Sequence, residues 1–309
     1  MEMKDLGYFI ARLRKKKNLT QKALSEIVDV SSTTISRIEN GNYSGLAIDK
    51  ICFIFEKLGY DPSGLHVFQI GFKEQENINK REKIRELIGD KKYTEAAAAI
   101  KKLEKDIDFM QNDFNRQHLL LSQAKLMDYL DAGEVPSPII YELLIKAIKI
   151  TSPMFEEYRI KHFLFSIEEI RIIDDIAMYH YQNKEIDLSI RILKDLKASL
   201  DNNYIDDYFI STFYPNIFNC MAEIIMEKGE YANAITLCNE GIKICKKFKD
   251  FYTLPNLLFI KARCLANEKD ESCKEVLKEA YYMAKGFGKV TFVEWLKSYA
   301  QDRLGITLE

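Results

Sequence analysis

The stretch from Asn18 to Gly41, NLTQKALSEIVDVSSTTISRIENG, constrains this chain more than any other. Thr20 is a good N-cap, and Leu24, Ile27 and Val28 follow it at helical spacing until Asp29 breaks the apolar pattern. Ser31 is a second cap. Behind it Ile35 and Ile38 share one face, while Ser32, Thr33, Thr34, Ser36 and Arg37 keep the other face polar and mostly small. The spacing predicts a helix over about Gln21 to Val28, a tight turn, and a second helix with a narrow apolar seam. Such a second helix fits a groove in DNA. Its first residues meet base edges while the preceding helix crosses the backbone, which is the docking geometry of a helix-turn-helix.

The order L-T-Q-x-x-L-S-x-x-x-x-V-S-x-x-T-I-S-R-I-E-N-G resembles the Xre and lambda-repressor class of DNA-binding domains, from about Leu6 to Leu65. The resemblance implies that Gln21 contacts a phosphate at the opening of the first helix. It implies Ser32, Thr33 and Arg37 as the base-facing set with Thr34 beside them, and Asn40 as a further backbone contact. It also implies an internal ion pair between Arg14 and Glu39, for which simple solvent exposure is the alternative. Arg37 can pair bidentately with guanine, whereas Ser and Thr discriminate bases poorly. Specificity on a double-stranded operator then leans on few direct contacts plus DNA shape.

A chain of 309 residues exceeds a comfortable single core, so two domains or a repeat array is expected. The net charge is only -2, which excludes a uniformly basic coat and requires any nucleic-acid surface to be local. Among the first 22 residues Lys4, Arg12, Arg14, Lys15, Lys16, Lys17 and Lys22 are opposed only by Glu2 and Asp5. Lys15 to Lys17 are placed to reach phosphate or to form a solvated helix end. The six cysteines form no C-x-x-C pair and sit in apolar helical patterns, as buried thiols in a reducing compartment do. Cys238 and Cys245 lie seven apart on one helix face, the single spacing that keeps a metal or redox role open. No secretory leader opens the chain and no apolar run reaches membrane-spanning length, so a soluble, cytoplasmic protein is expected.

Beyond Leu65 the composition shifts. Phe72 to Arg85 is charged and reads as a linker helix, and the remainder is helix-patterned with scattered Gly and Pro. Tyr214-Pro-Asn-Ile-Phe overlays Leu254-Pro-Asn-Leu-Leu at a shift of 40 residues, which also aligns Ala222 with Ala262. A weaker copy aligns Ala177 and Glu185-Ile-Asp-Leu-Ser-Ile with Ala222 and Glu230-Tyr-Ala-Asn-Ala-Ile at a shift of 45. Pro215 to Lys246, with Phe218, Met221, Ala222, Gly229, Tyr231 and Ala234, resembles one tetratricopeptide repeat. Lys92-Tyr-Thr-Glu-Ala-Ala carries the same turn signature, and Gln117 to Pro153, with Ala124 and Ala147, is a degenerate copy.

The expected architecture is all-α. A helix-turn-helix domain spans 1–66, a linker 67–78, and a tetratricopeptide-like domain for peptide binding and dimerisation 79–309. The last is a right-handed α-solenoid of about five helix pairs ending in a capping helix, Val290 to Leu304, sealed by Phe292, Leu296 and Tyr299, with Trp295 in the cap or in a dimer contact.

Carrying the repeat family's groove positions onto this chain gives Asn216, Asn219, Glu223 and Met226, then Asn256, Phe259 and Arg263, then Arg171, Asp174, Met178 and Tyr181, with Lys125 and Asp128 from the repeat before. An Asn side chain offers both a donor and an acceptor, so it can bracket a peptide unit of any sequence. Tyr181, Met178 and Phe259 supply apolar pockets, and Arg171, Arg263 or Lys125 a partner for a C-terminal carboxylate. For Asn216 and Asn256, each following a proline, a helix-start contact is the structural alternative.

The whole chain resembles the Rgg/PlcR branch of the RRNPP peptide-sensing regulators. That resemblance implies a homodimer whose DNA-binding heads are repositioned by a short signalling peptide, that is, quorum sensing by transcription regulation. The alternative is a ligand-independent repressor or antitoxin-like regulator whose repeats bind a protein partner. Catalysis is not expected: His66, His118, His162 and His180 show no metal-ligand pairing with acidic neighbours, and there is no phosphate loop or nucleophile elbow. No metal or cofactor is called for.

Overall fold

The computed structural model describes residues 3–43, 46, 48–60, 72–130, 136–203 and 207–308, and among these there is no strand. The expected head-to-linker boundary at 66/67, together with Leu65 and His66, lies outside the described residues. The chain forms two compact units, Met1–Asp206 and Asp207–Glu309, so the division falls within the repeats.

The first unit opens with four helices: α1 (Met3–Lys16), α2 (Gln21–Ile27), α3 (Ser32–Glu39) and α4 (Ile48–Lys57). Leu6, Ile10 and Leu13 recur at helical spacing on α1 and are buried with Leu24, Val28, Ile35, Ile38, Ile51 and Phe55. Both caps read from the sequence form. Thr20 Oγ1 accepts from the Ala23 N–H at 3.0 Å and Ser31 Oγ from the Thr34 N–H at 3.0 Å. Asp29 makes the intervening turn in a left-handed conformation, φ 48°. Gly7 lets α1 cross the end of α3, because a Cβ there would lie 2.3 Å from Ile38 O.

Helix pairs follow: α5 (Phe72–Gly89) with α6 (Tyr93–Leu103), α8 (Asp113–Leu130) with α9 (Pro138–Thr151), and α10 (Ile167–Gln182) with α11 (Ile186–Asn203). A short α7 (Ile107–Met110) and a 3-10 turn at Glu157–His162 interrupt them, and the sequence pattern did not suggest either. The charged segment from Phe72 to Arg85, expected as a linker helix, is helical and forms most of the first helix of a pair. It belongs to α5, whose later residues Ile84, Leu87 and Ile88 are buried against Ala96 and Ile100 of α6. In the second unit α12 (Asp207–Glu227) pairs with α13 (Tyr231–Phe248) and α14 (Leu254–Asn267) with α15 (Cys273–Gly286), before α16 (Val290–Leu304). Among the described residues five pairs and a terminal helix match the count expected.

The repeat period is written into the backbone. Lys91, Lys184, Gly229 and Lys269 each adopt positive φ, at 60°, 66°, 80° and 61°, just past the first helix of a pair. The next residue's N–H then bonds back five residues in each case: Lys92 to Leu87 O, Glu185 to His180 O, Glu230 to Ile225 O and Asp270 to Leu265 O, at 2.8 to 3.2 Å. The last three turns are 45 and 40 residues apart (229 − 184 and 269 − 229), the two shifts at which the sequence overlays itself. Pro215 departs from the sequence reading. α12 begins at Asp207 and carries Pro215 inside it, so Asn216 is no helix start. Pro255, by contrast, sits in the first turn of α14.

Candidate nucleic-acid interface and repeat sites

On α3, Ser32, Thr33 and Arg37 are exposed, as is Asn40 at its C-cap, while Ile35 and Ile38 fix the opposite face in the core. Thr34 is half-buried and its hydroxyl lies 2.8 Å from Ser31 Oγ, so part of its bonding capacity is spent on the cap. Asn40 Nδ2 donates to Ser36 O at 2.8 Å, closing the helix end.

Arg14 and Glu39 pair: Nε to Oε1 is 2.5 Å and Nη2 to Oε2 is 2.9 Å, a bidentate fork, and Arg14 Nη1 also donates to Leu19 O at 2.7 Å. Gln21 Nε2 donates to Glu39 Oε2 at 2.8 Å. Arg14 is 8 % exposed, so it does not belong to the surface positive cluster in which the sequence placed it. It is internal structure that aligns α1, α2 and α3. Among the described side chains of that cluster the exposed cations are Arg12, Lys15, Lys16 and Lys22. Burial, aided by the neighbouring Lys16, pushes the Lys17 ammonium down to about 8.

The head is joined to the repeats of its own unit through buried polar contacts. Lys57, 1 % exposed at the end of α4, donates to Glu169 Oε2 on α10, to Leu164 O at 2.8 Å and to Ser152 Oγ at 3.1 Å. Glu169 is fully buried and further accepts from Thr151, Ser152 and the Ser166 N–H at 2.6 to 2.7 Å. Glu56 Oε2 accepts from the Ile167 N–H at 3.1 Å, and burial pushes its carboxyl up to about 7. Asp49 accepts from Asn112 Nδ2 at 3.0 Å, and the Phe53 and Phe114 rings lie 5.1 Å apart.

On α10 the expected residues divide. Met178 lines a cavity with Lys125 and Asp128 of α8, whereas Arg171, Asp174 and Tyr181 do not line it; Asp175 and Gln182, one step along the helix face, do. Arg171 Nη1 donates to Glu168 Oε2 at 3.0 Å. Glu168 also meets His118 Nδ1 at 2.6 Å, and despite burial the cations around it hold its carboxyl well below the ordinary range. His180 Nδ1 lies 2.5 Å from Glu185 and its Nε2 3.4 Å from Glu157. Two histidines thus have acidic neighbours that their sequence spacing did not reveal, because the partners come from other elements or across a turn. Among the described residues no group of three or more His, Cys, Asp or Glu is placed to hold a metal.

In the second unit Asn216 is exposed, while Asn219, Glu223, Asn256 and Arg263 are half-buried. Asn219 Oδ1 is buried and accepts no hydrogen bond from the protein. The Glu223 carboxyl is raised by burial and by Glu227, with Arg263 on α14 opposing the shift. Phe259 is not an open pocket wall. It is 5 % exposed, with Trp295 at 4.6 Å, Tyr299 at 5.0 Å and Phe292 at 6.1 Å, all edge-on, and the Arg263 guanidinium 5.5 Å above its ring. Trp295 thereby joins the cap, and Leu296 is fully buried beneath it. Cys238 and Cys245 are fully buried, and burial pushes both thiols up to about 12, the state of inert core cysteines.

Residues 7–65 match a protein family described as a helix-turn-helix domain. No curated protein matches the sequence significantly. Among solved structures the chain is similar to Bacillus thuringiensis PlcR in complex with the peptide PapR7 and DNA, with TM-score 0.60 and 17% identity over 94% of this chain and 98% of that one. The apo form of PlcR gives 0.58 and 17%, covering 95% and 98%. ComR from S. thermophilus, in complex with DNA and its signalling peptide ComS, gives 0.51 and 18%, covering 95% and 97%. At such identities the likeness establishes the fold: a helix-turn-helix head followed by tetratricopeptide-like helix pairs. No helix among the described residues is long and apolar enough to cross a membrane.

Proposed function

We propose that this chain is a sequence-specific transcription regulator that acts as a homodimer on double-stranded DNA and is switched by a short signalling peptide held on the first helices of its repeats. The observation that carries the DNA half is the face of α3. Ser32, Thr33 and Arg37 stand clear of a core that fixes Ile35 and Ile38, and the Arg14–Glu39–Gln21 cluster braces the helices beneath them. Gln21, Thr34 and Asn40 serve as backbone contacts and helix-end supports.

The peptide half draws support from Asn219, whose buried Oδ1 has no hydrogen-bond partner within the protein, and from Asn216, Glu223, Asn256 and Arg263 of the same unit. On α10, Met178 lines an open cavity, with Arg171, Asp174 and Tyr181 on the same helix. PlcR and ComR, whose fold the chain shares, have each been seen with a peptide and DNA. A peptide can switch the protein only by the difference in its affinity for two arrangements of the chain, a coupling of about 1 to 3 kcal/mol in most such systems.

Selection of DNA from a random duplex library by the purified full chain tests the DNA half. A repeated half-site is expected from the wild type and no enriched motif from Arg37→Ala; equal motifs from both proteins would remove Arg37 from the reading surface.

A further inference from the structure

Between α8 and α10 the first unit holds a cavity of about 60 Å³. That is room for roughly four or five waters, or the end of one amino-acid side chain. Its floor is apolar: Ala124, Ile140 and Leu144 are each at most 3 % exposed. Its walls are Met178, Tyr179, Gln182 and Tyr129, the last stacked on Tyr93 with ring centroids 5.5 Å apart. Three charged side chains complete it. Lys125 Nζ stands 2.9 Å from both oxygens of Asp175, and Asp128 follows Lys125 by three residues on the same face of α8.

Two carboxylates and one ammonium therefore line the same partly desolvated space, with the ammonium paired to Asp175. The strain shows at Asp175, whose carboxyl is raised by burial and by the nearby Asp128 and Glu168, with Lys125 opposing. A second cation would neutralise the excess negative charge, whereas an anion would lose its hydration and meet repulsion. Lys125 is already spent on Asp175, so it is not the free partner for a carboxylate that the sequence suggested. An occupant needs an apolar stem for the floor and the Met178 wall, and a positive end for the rim.

We propose that this cavity takes a lysine or arginine side chain of the peptide ligand, with Asp128 and Asp175 receiving its charge. This rests on the peptide reading above and adds to it a ligand class and two specificity-determining residues.

The test is a positional-scanning library of synthetic heptapeptides, each pool fixed at one position as Lys, Arg, Asp, Glu or Leu, titrated against the full-length protein with binding read by fluorescence anisotropy. At one position, pools fixed as Lys or Arg are expected to bind about tenfold or more tighter than those fixed as Asp or Glu. Asp128→Asn should flatten that preference and Asp128→Lys invert it, with unchanged circular dichroism. Tightest binding by acidic or neutral pools, or a ranking that Asp128→Lys leaves intact, would overturn the basic side chain but keep the peptide. Absence of binding by every pool would overturn both.

Discussion

Lys57 at the last turn of α4 and Glu169 near the start of α10 form a buried ion pair across 112 residues of sequence. It ties the helix-turn-helix head to the repeats of its unit. Burial pulls the Lys57 ammonium below the ordinary lysine range, with Glu169 opposing. Such a pair contributes little when both members are replaced together, but removing one leaves a buried charge without its counter-ion.

Lys57→Met is therefore expected to destabilise the first unit by about 3 to 5 kcal/mol, and Glu169→Leu by a similar amount. The double variant should lose less than the sum of the two. Urea unfolding of all four proteins checks this; additive losses would show that the two residues act independently.

Glu56 gives the same junction a pH dependence. Its carboxyl ordinarily titrates near 4.5 and in the folded chain near 7. Between those values the folded state holds a proton that the unfolded state has released. Stability should therefore fall as pH rises through that window and level off above it, by up to about 3 kcal/mol. The groups facing it are Glu168, Glu169, Arg171 and the Ile167 N–H. Urea midpoints of wild type and Glu56→Gln at pH 4.5, 6 and 7.5 isolate this contribution, since other titrations are common to both proteins. Parallel pH profiles would contradict it.

Gly7→Ala tests how tightly α1 crosses α3. A Cβ at Gly7 meets two backbone oxygens, Ile38 O at 2.3 Å and Glu39 O at 2.8 Å, and backbone cannot step aside as a side-chain tip can. A loss of roughly 2 kcal/mol or more, confined to the head, is expected. Limited proteolysis should show cleavage within 3–60 while the second unit, Asp207–Glu309, stays intact.

Asn219→Ala is expected to weaken peptide binding about five- to tenfold, the worth of one hydrogen bond to a buried acceptor, without changing DNA affinity. Because Asn219 Oδ1 accepts no bond within the protein, the substitution should not lower thermal stability. A peptide affinity equal to that of wild type would remove Asn219 from the binding surface.

Local features of this fold were legible because local chemistry decides them. The Thr20 and Ser31 caps, the left-handed Asp29 and the apolar seam of Ile35 and Ile38 all lie within one short stretch, and the repeat shifts were visible because each turn reuses the same backbone geometry. What escaped was long-range. Lys57 falls three residues after Ile54 and four after Phe53, on the buried face of α4, and a lysine in that register asks for a partner that only α10 could reveal. Phe259 fitted a groove position by count, yet α16 covers it. On α10 the cavity lining takes in Asp175, Tyr179 and Gln182 beside Met178, positions that a count of groove residues along the repeat does not pick out. Pro215 suggested a helix start because proline usually marks one, but α12 accommodates it internally.

The most direct measurement of the central claim is the affinity of the full-length protein for its selected operator at one fixed, near-physiological salt, with and without the tightest-binding peptide at saturation. A change in Kd of about fivefold or more is predicted, mirrored by an equal change in peptide affinity when operator is present. A peptide that binds while leaving operator affinity and footprint unchanged would contradict the account.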